Sequence, residues 1–282
     1  MQGSIRLKAK NLLHKSTVRL FVISLVSAVY RYGAFAGNII GFFVLIGSDI
    51  VRNMTEKHST EFVVISVAAW ECVSFSLMLM SVAAMRMGEQ FTYFTRSEGG
   101  KGRFLLLFKF FRFKKSAKAL ALYIRMNLLK AIWLFYFLLP GLICAFCAYY
   151  LYNTAYISAQ VYFTLSTGTA LLLAISLVVW RIAVRRYSAA PYYMALNEKL
   201  SITEAIEKSV LFTDGSLTEG VFTEYSFAGW ILSCVFVIPI VYVVPYIKLC
   251  NATYITSTTP KAVHKSSPYT ISLFPLSRQH IN

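Results

Sequence analysis

Acid is what this chain has least of. Twelve Asp and Glu residues stand among 282, against 28 Lys and Arg, and charged residues of both signs make up only 14%. A soluble domain carries about 25% charged and 45–50% apolar residues, whereas this chain is 57% hydrophobic. That balance excludes an ordinary water-soluble surface. Histidine is nearly missing too. His14, His58, His264 and His280 are the only four, and they fall in separate loops or tails. Such scatter argues against a histidine-built metal centre. There is no His-Glu-x-x-His, no Walker loop and no Gly-x-Ser-x-Gly. No catalytic residue, metal ligand or cofactor is therefore expected. The five cysteines, Cys72, Cys144, Cys147, Cys234 and Cys250, lie in or beside apolar runs. Cys144-x-x-Cys147 has redox or metal spacing but no second pair, so these two read as small packing residues. No internal repeat argues for an inverted-repeat transporter.

What the chain does have is long apolar runs. They extend over about Val18–Ile50, Phe62–Met87, Ala131–Tyr152, Val161–Ile182 and Val221–Ile255. Each is long enough for a bilayer-crossing helix of about 20 residues. The first is read as one long or tilted helix that stays uncleaved, because it lacks a small-residue cleavage site. Pro140-Gly141 is expected to kink the third. The last, interrupted by Pro239 and Pro245, is either one span with an extension or a tight hairpin. The expectation is an all-α, polytopic transmembrane helix bundle of five or six spans. Residues 18–255 form its single integral membrane domain, and the Ser-, Thr- and Pro-rich tail 256–282 is expected to be disordered.

Charge sets the orientation. Residues 1–17 hold Arg6, Lys8, Lys10 and Lys15 without an acid, and Arg181, Arg185 and Arg186 close the fourth run. Lys and Arg favour the cytoplasmic side, so the N-terminus and residues 185–224 are placed there. The balanced segment Asp49–Glu61 and the uncharged Asn153–Gln160 are placed outside, with Tyr149, Tyr150, Tyr152, Tyr156 and Tyr162 as interface aromatics. Residues 86–130 are strongly basic. From Phe104 to Lys118, Leu and Phe alternate with Lys109, Arg112, Lys114, Lys115 and Lys118. This mixture predicts a helix lying in the headgroup layer, in contact with anionic lipid. Nucleic acid is not expected, because the patch is dense in Phe and Leu and flanked by spans.

Two charges lie deep in apolar runs, Arg31 in the first and Glu71 in the second. At 1.5 Å per residue each sits roughly 20 Å from the cytoplasmic end of its run. Antiparallel neighbours would bring them level, which predicts an intramembrane pair, either structural or a relay. Ser24, Arg31 and Asn38, spaced by seven, share one face of that helix. Gly33, Gly37 and Gly41 form two Gly-x-x-x-Gly steps on another, read as a helix-packing face.

After the fourth run the pattern turns amphipathic. Ser201-x-x-Glu204 is a capping box. Ile202, Ala205, Ile206, Ser209, Val210 and Thr213 then trace a single stripe up to Asp214-Gly215. A piece this short and charged is a cytoplasmic-side surface helix near 201–214. Glu198, Glu204, Glu207, Asp214, Glu219 and Glu224 gather on that side and read as a solvated face.

Tyr187, Ser188, Pro191, Tyr192, the Ser201-Glu204-Ser209 helix, Ser226-Phe227-Ala228-Gly229-Trp230 and Pro245-Tyr246 together carry a resemblance. They resemble the C-terminal signature of a bacterial family of multi-pass membrane proteins, domain of unknown function 975. That family is distantly similar to the membrane domain of some glycerophosphodiester phosphodiesterases. The likeness covers roughly the last third of the chain. In this sequence Pro140-Gly141 stands a whole apolar run before Tyr187, further upstream than the family's Pro-Gly element. The resemblance implies a bundle in the bacterial cell membrane and no known activity. Three roles follow as expectations. One is a non-enzymatic structural or accessory protein with a membrane protein partner. Another is a transporter or export component for a small solute, lipid or peptide. The third is a partner of a lipid-handling enzyme.

Overall fold

The apolar runs fold as helices because, in a lipid environment, a helix satisfies every backbone N–H and C=O within its own segment. A computed structural model describes residues 2–14, 16–57, 59–154, 158–213, 226–227, 229–230 and 237–258. These form α1 (Gln2–His14), α2 (Thr17–Ile46), α3 (Asp49–Lys57), α4 (Thr60–Ser97), α5 (Phe113–Thr154), α6 (Ala159–Val184), α7 (Ala190–Leu196), α8 (Ile202–Thr213) and α9 (Val237–Thr258). Single 3-10 turns cover Phe104–Phe108 and Arg185–Tyr187. No strand occurs among the described residues.

Four helices, α2, α4, α5 and α6, are long and apolar enough to cross a membrane. The fifth and sixth expected spans fall in the last apolar run; α9 covers its second half and is not among these four, and residues 221–225, 228 and 231–236 lie outside the described residues. The tail beyond Thr258 lies outside them as well. Ser59 and Ser158 start α4 and α6 by accepting from Phe62 N and Val161 N, both at 3.4 Å. α4 stops at a tight loop in which Gly99 takes φ +91°, a backbone region that suits glycine.

Several expected boundaries move. The segment after Asp49 is helix α3 rather than a loop. The Phe104–Lys118 stretch is a 3-10 turn followed by the first turns of α5, which continues unbroken through Pro140 to Thr154. The basic lead-in is helix α1, which buries Ile5, Ala9 and Leu13 on one face. Gly141 lets α5 and α6 touch: a Cβ there would lie 2.4 Å from Leu173 Cδ2.

Burial is concentrated at one end of the bundle. α2 buries Leu20, Ile23, Ser24 and Ser27 in its first third, α4 buries Ala83 to Ser97 selectively in its last, and α5 buries Ser116 to Met126 in its first. α1, α7, α8 and the second half of α9 complete this packed end. The opposite halves expose apolar side chains such as Ile40, Phe43, Ile65, Phe146, Phe163 and Leu171. An apolar surface so extensive is compatible with a membrane location.

Candidate functional site

At the packed end, α2, α4 and α9 meet around one carboxylate. Glu89 of α4 is only 4% exposed. Its Oε2 accepts from Ser27 Oγ at 2.8 Å and Arg31 Nη2 at 3.4 Å. Its Oε1 accepts from Ser24 Oγ at 3.1 Å and pairs with Lys248 Nζ of α9. Lys248 also donates to Ser24 Oγ at 3.1 Å, and Arg31 Nε to the Ser27 carbonyl at 3.1 Å. The Tyr93 hydroxyl closes the group, 2.7 Å from Ser24 Oγ and donating to the Leu20 carbonyl at 3.0 Å. A buried carboxylate is costly unless it is paired and hydrogen-bonded; here two cations and two hydroxyls meet that need.

The partner of Arg31 is thus Glu89, not Glu71. Antiparallel packing of α2 on α4 sets Asn38 Nδ2 2.9 Å from Ser74 Oγ, which fixes the register. Glu71 consequently falls beside Gly37, Asn38, Gly41 and Ser74, lining a separate cavity. The depth argument failed because α4 runs on to Ser97, well past the end of its apolar run. The face shared by Ser24, Arg31 and Asn38 does meet α4 as its spacing implies. No close neighbour meets the glycine face among the described residues: a Cβ on Gly33, Gly37 or Gly41 would meet nothing within 4 Å.

Beside the Glu89 group opens a cavity of about 330 Å³. Its charged lining consists of Arg31, Arg86, Lys130, Arg181, Arg185 and Lys248 against the single carboxylate of Glu89. Arg86 stacks 4.9 Å over the Tyr123 ring, whose hydroxyl donates to Gln90 Oε1 at 2.7 Å. Arg185 is buried, donates to Asn251 Oδ1 at 3.3 Å and lies 5.3 Å from the Tyr254 ring centre.

Of the expected motif residues, Ser188 and Pro191 line this cavity and the others lie elsewhere. Ser201 and Glu204 make the capping box, with Glu204 N to Ser201 Oγ at 3.2 Å and Ser201 N to Glu204 Oε2 at 3.1 Å. Ser209, fully buried, donates to the Arg186 carbonyl at 2.6 Å and accepts from Ala189 N at 3.1 Å, fastening α8 to the start of α7. Pro191 occupies the first turn of α7, where its missing N–H costs nothing. The Tyr187 hydroxyl accepts from Trp133 Nε1 at 2.9 Å, and the Tyr192 hydroxyl donates to Glu98 Oε1 at 2.5 Å. Arg6 of α1 donates to Ser226 Oγ and stacks on Phe227, whose ring meets Tyr246 edge-on at 5.4 Å. Pro245 lies inside α9. Gly229 and Trp230 are exposed, and Ala228 lies outside the described residues.

The five cations expected on lipid divide. Lys109 and Lys115 pair with Glu198 at 4.0 and 2.8 Å, and Lys118 donates to the Glu198 carbonyl at 2.6 Å. Arg112 and Lys114 stay exposed, next to exposed Leu105, Phe108 and Phe113. The hydrogen bond from Lys115 holds the Glu198 carboxyl below the usual glutamate range, whereas burial pulls Lys109 down. Of the acidic cluster, Asp214, Glu219 and Glu224 lie outside the described residues. Cys144 and Cys147 are exposed rather than packed. No group of His, Cys, Asp and Glu suited to a metal occurs among the described residues.

Sequence reading missed Glu89, Lys248 and Arg86. Lys248 alone left a clear signal, a lone cation inside the apolar run from Val237 to Cys250. Comparison of the chain with protein-family models, with curated proteins and with solved structures returned no match.

Proposed function

We propose that the protein is a non-enzymatic integral membrane protein of the bacterial cell membrane, with its N-terminus and packed end in the cytoplasm, serving a structural or accessory role. The observation that supports this reading best is the state of Glu89. Both of its oxygens are taken up by Ser24, Ser27, Arg31 and Lys248. A carboxylate so fully engaged ties three helices together and leaves no lone pair for a general base or nucleophile. Three motif residues behave in the same way: Tyr187, Tyr192 and Ser209 each fasten one element of the packed end to another. Exposed Arg112 and Lys114 beside Leu105 and Phe113 suit a surface that rests among anionic headgroups. An accessory role assigns the uncovered apolar halves to lipid or to a membrane protein partner.

Transport of a small anion is the second reading, favoured by the cation-lined cavity. A flux assay separates the two. Proteoliposomes loaded with inorganic phosphate are expected to leak no faster than protein-free vesicles. Protein-dependent efflux that Arg86→Gln abolishes would replace the accessory role with transport.

A further inference from the structure

One acid of the far half has no counter-charge. The Glu71 side chain of α4 makes no ion pair and no hydrogen bond among the described residues. It stands eleven residues beyond Thr60, roughly 17 Å along the helix axis. In a bilayer whose hydrocarbon core is about 30 Å thick, that is near the middle. An ionisable group at such a depth is costly, and it marks a path or a site for a charged species. Glu71 is only partly buried because it lines a cavity of about 300 Å³, walled by α2, α4 and the start of α3. No Lys, Arg or His belongs to that lining among the described residues. The neutral polar groups present are left to accept. Asn38 commits its amide N–H to Ser74 Oγ at 2.9 Å, which leaves its carbonyl oxygen. Ser48 donates its hydroxyl to the Leu45 carbonyl at 2.6 Å, which leaves the lone pairs of its oxygen. Trp70 adds an indole ring, the aromatic side chain that attracts cations best. Gly37 and Gly41 bring no side chain into the space.

We infer that this cavity is a binding site for a small organic ammonium cation, with Glu71 as its counter-ion and Trp70 against its alkyl groups. Three considerations select that class. The charge is one carboxylate with accepting oxygens around it, and a cation seated there removes the cost of the lone acid. The walls are otherwise apolar, with Phe42, Val44 and Leu45 among them. An inorganic cation such as calcium or magnesium takes about six or more oxygen ligands. Here one carboxylate and three neutral side chains, Asn38, Ser48 and Ser74, supply the oxygens, so an ion that carries its own apolar groups fits better. The volume lies at the small end of ligand pockets, about 300–1,000 Å³, and suits a single ring or a few alkyl groups. Depth sets the source. A lipid amine lies at the headgroup level, about 15 Å from the midplane, so the ligand is a free amphipathic cation and not a headgroup. The site is separate from the Glu89 group and stands whether the protein is a scaffold or moves a solute.

The test uses the full chain purified in a neutral detergent, with radiolabelled benzyltrimethylammonium as the probe in equilibrium dialysis. Protein-free micelles give the blank. The wild-type chain is expected to bind the probe saturably, one per chain. Neopentylbenzene, which has the same shape with carbon in place of the charged nitrogen, is expected to displace it about tenfold less effectively than unlabelled probe. Glu71→Gln keeps the size of the side chain and removes its charge, and is expected to weaken affinity about tenfold or more. Trp70→Leu is expected to weaken it about three- to fivefold, with Trp70→Phe restoring part of the loss. Glu61→Gln, which removes an exposed acid of the same helix outside the cavity, is expected to leave affinity unchanged. Each variant is dialysed as its monodisperse fraction with helix content matched by circular dichroism, so bound probe is counted per folded chain. The inference is overturned if the wild-type chain binds no more probe than micelles do, or if Glu71→Gln binds as tightly as wild type. A Glu61→Gln loss equal to that of Glu71→Gln overturns it too. Displacement of the probe by sodium chloride at equal concentration would overturn the organic-cation class in favour of an inorganic ion.

Discussion

The two ends of the same four helices obey different rules. In the first third of α2, Leu20 and Ile23 are fully buried, while near its end Ile40 and Phe43 are more than 60% exposed. α4 shows the reverse order, exposed at Val64 and Ile65 and mostly buried from Ala83 onward. At the packed end apolar side chains are buried in one core, and removing apolar area from water lowers free energy. At the other end lipid tails are as apolar as leucine, and no such drive pulls the helices together. Polar side chains follow the same division. Glu89, Tyr93, Arg185 and Ser209 all make specific contacts at the packed end, whereas the far half carries few beyond Asn38 with Ser74. The architecture is thus specified by packing at one end and presents an apolar surface compatible with lipid at the other.

The sharpest way to break this comparison is to remove a carboxylate from each region. Glu89→Leu strands Arg31 and Lys248 beside each other with their counter-charge gone. Breaking a buried pair from one side costs about 3–5 kcal/mol, and that loss is expected in an SDS-titration unfolding measurement. Glu71 forms no ion pair among the described residues. An acid in an apolar span is itself unfavourable, by about 2.5–3.5 kcal/mol on insertion scales, so Glu71→Leu is expected to be neutral or stabilising. A larger loss from Glu71→Leu than from Glu89→Leu would refute the division.

A glycine pair tests packing in place of charge. At Gly88 a Cβ would lie 2.1 Å from the Leu107 carbonyl oxygen, where the 3-10 turn crosses α4. Backbone atoms cannot step aside as a side-chain tip can, and overpacking of this kind costs about 1–3 kcal/mol or more. At Gly37 the added methyl would meet open space, and alanine propagates a helix better than glycine by about 0.8–1.0 kcal/mol. Gly88→Ala is therefore expected to destabilise and Gly37→Ala to stabilise, read from the same unfolding titration. Equal effects at the two positions would mean that the far half is packed after all.

How far the sequence could be read follows the same line. The lipid-facing half was legible as hydropathy, because length and apolar content alone decide a span: four of the expected runs are the four long helices. The Ser201 capping box and its buried stripe were legible because both are local, set by residues three and four apart. The face of Ser24, Arg31 and Asn38 was legible as spacing. Its partner was not. Met87-Gly88-Glu89-Gln90 reads in hydropathy as the end of a span, while the helix continues ten residues into the packed core. Lys248 approaches from a helix more than 150 residues away, and no local pattern links it to Glu89. The cavity was illegible for the same reason, since its cations are contributed by α2, α4, α5, α6, α9 and the turn after α6. The glycine stripe meets no close neighbour among the described residues, since small residues permit close approach without requiring it.

The smallest expected effect lies on the outer surface of the packed end and shows that even there strength falls with exposure. Glu198, in the loop between α7 and α8, gathers Lys109 and Lys115 through its carboxylate. The Lys115 hydrogen bond lowers its folded pKa. A glutamate with a depressed folded value stabilises the protein at all pH above its unfolded value, about 4.3. That stability is lost as pH falls through the folded value. The carboxylate side chain is 46% exposed, so solvent screening holds the contribution to about 0–1 kcal/mol. Glu198→Gln is accordingly expected to melt slightly below the wild type at neutral pH. The gap should begin to close near pH 4.3 and vanish below it. It should also shrink in high salt, where exposed charges are screened. Lys109 works against the pair from the other side, because burial favours its neutral form, so the charged lysine is held at some cost until alkaline pH removes its proton. A gap between Glu198→Gln and wild type that persisted unchanged in strong acid would show that Glu198 holds the loop by its shape, and the ionic contacts to α5 would then contribute nothing to the packed end.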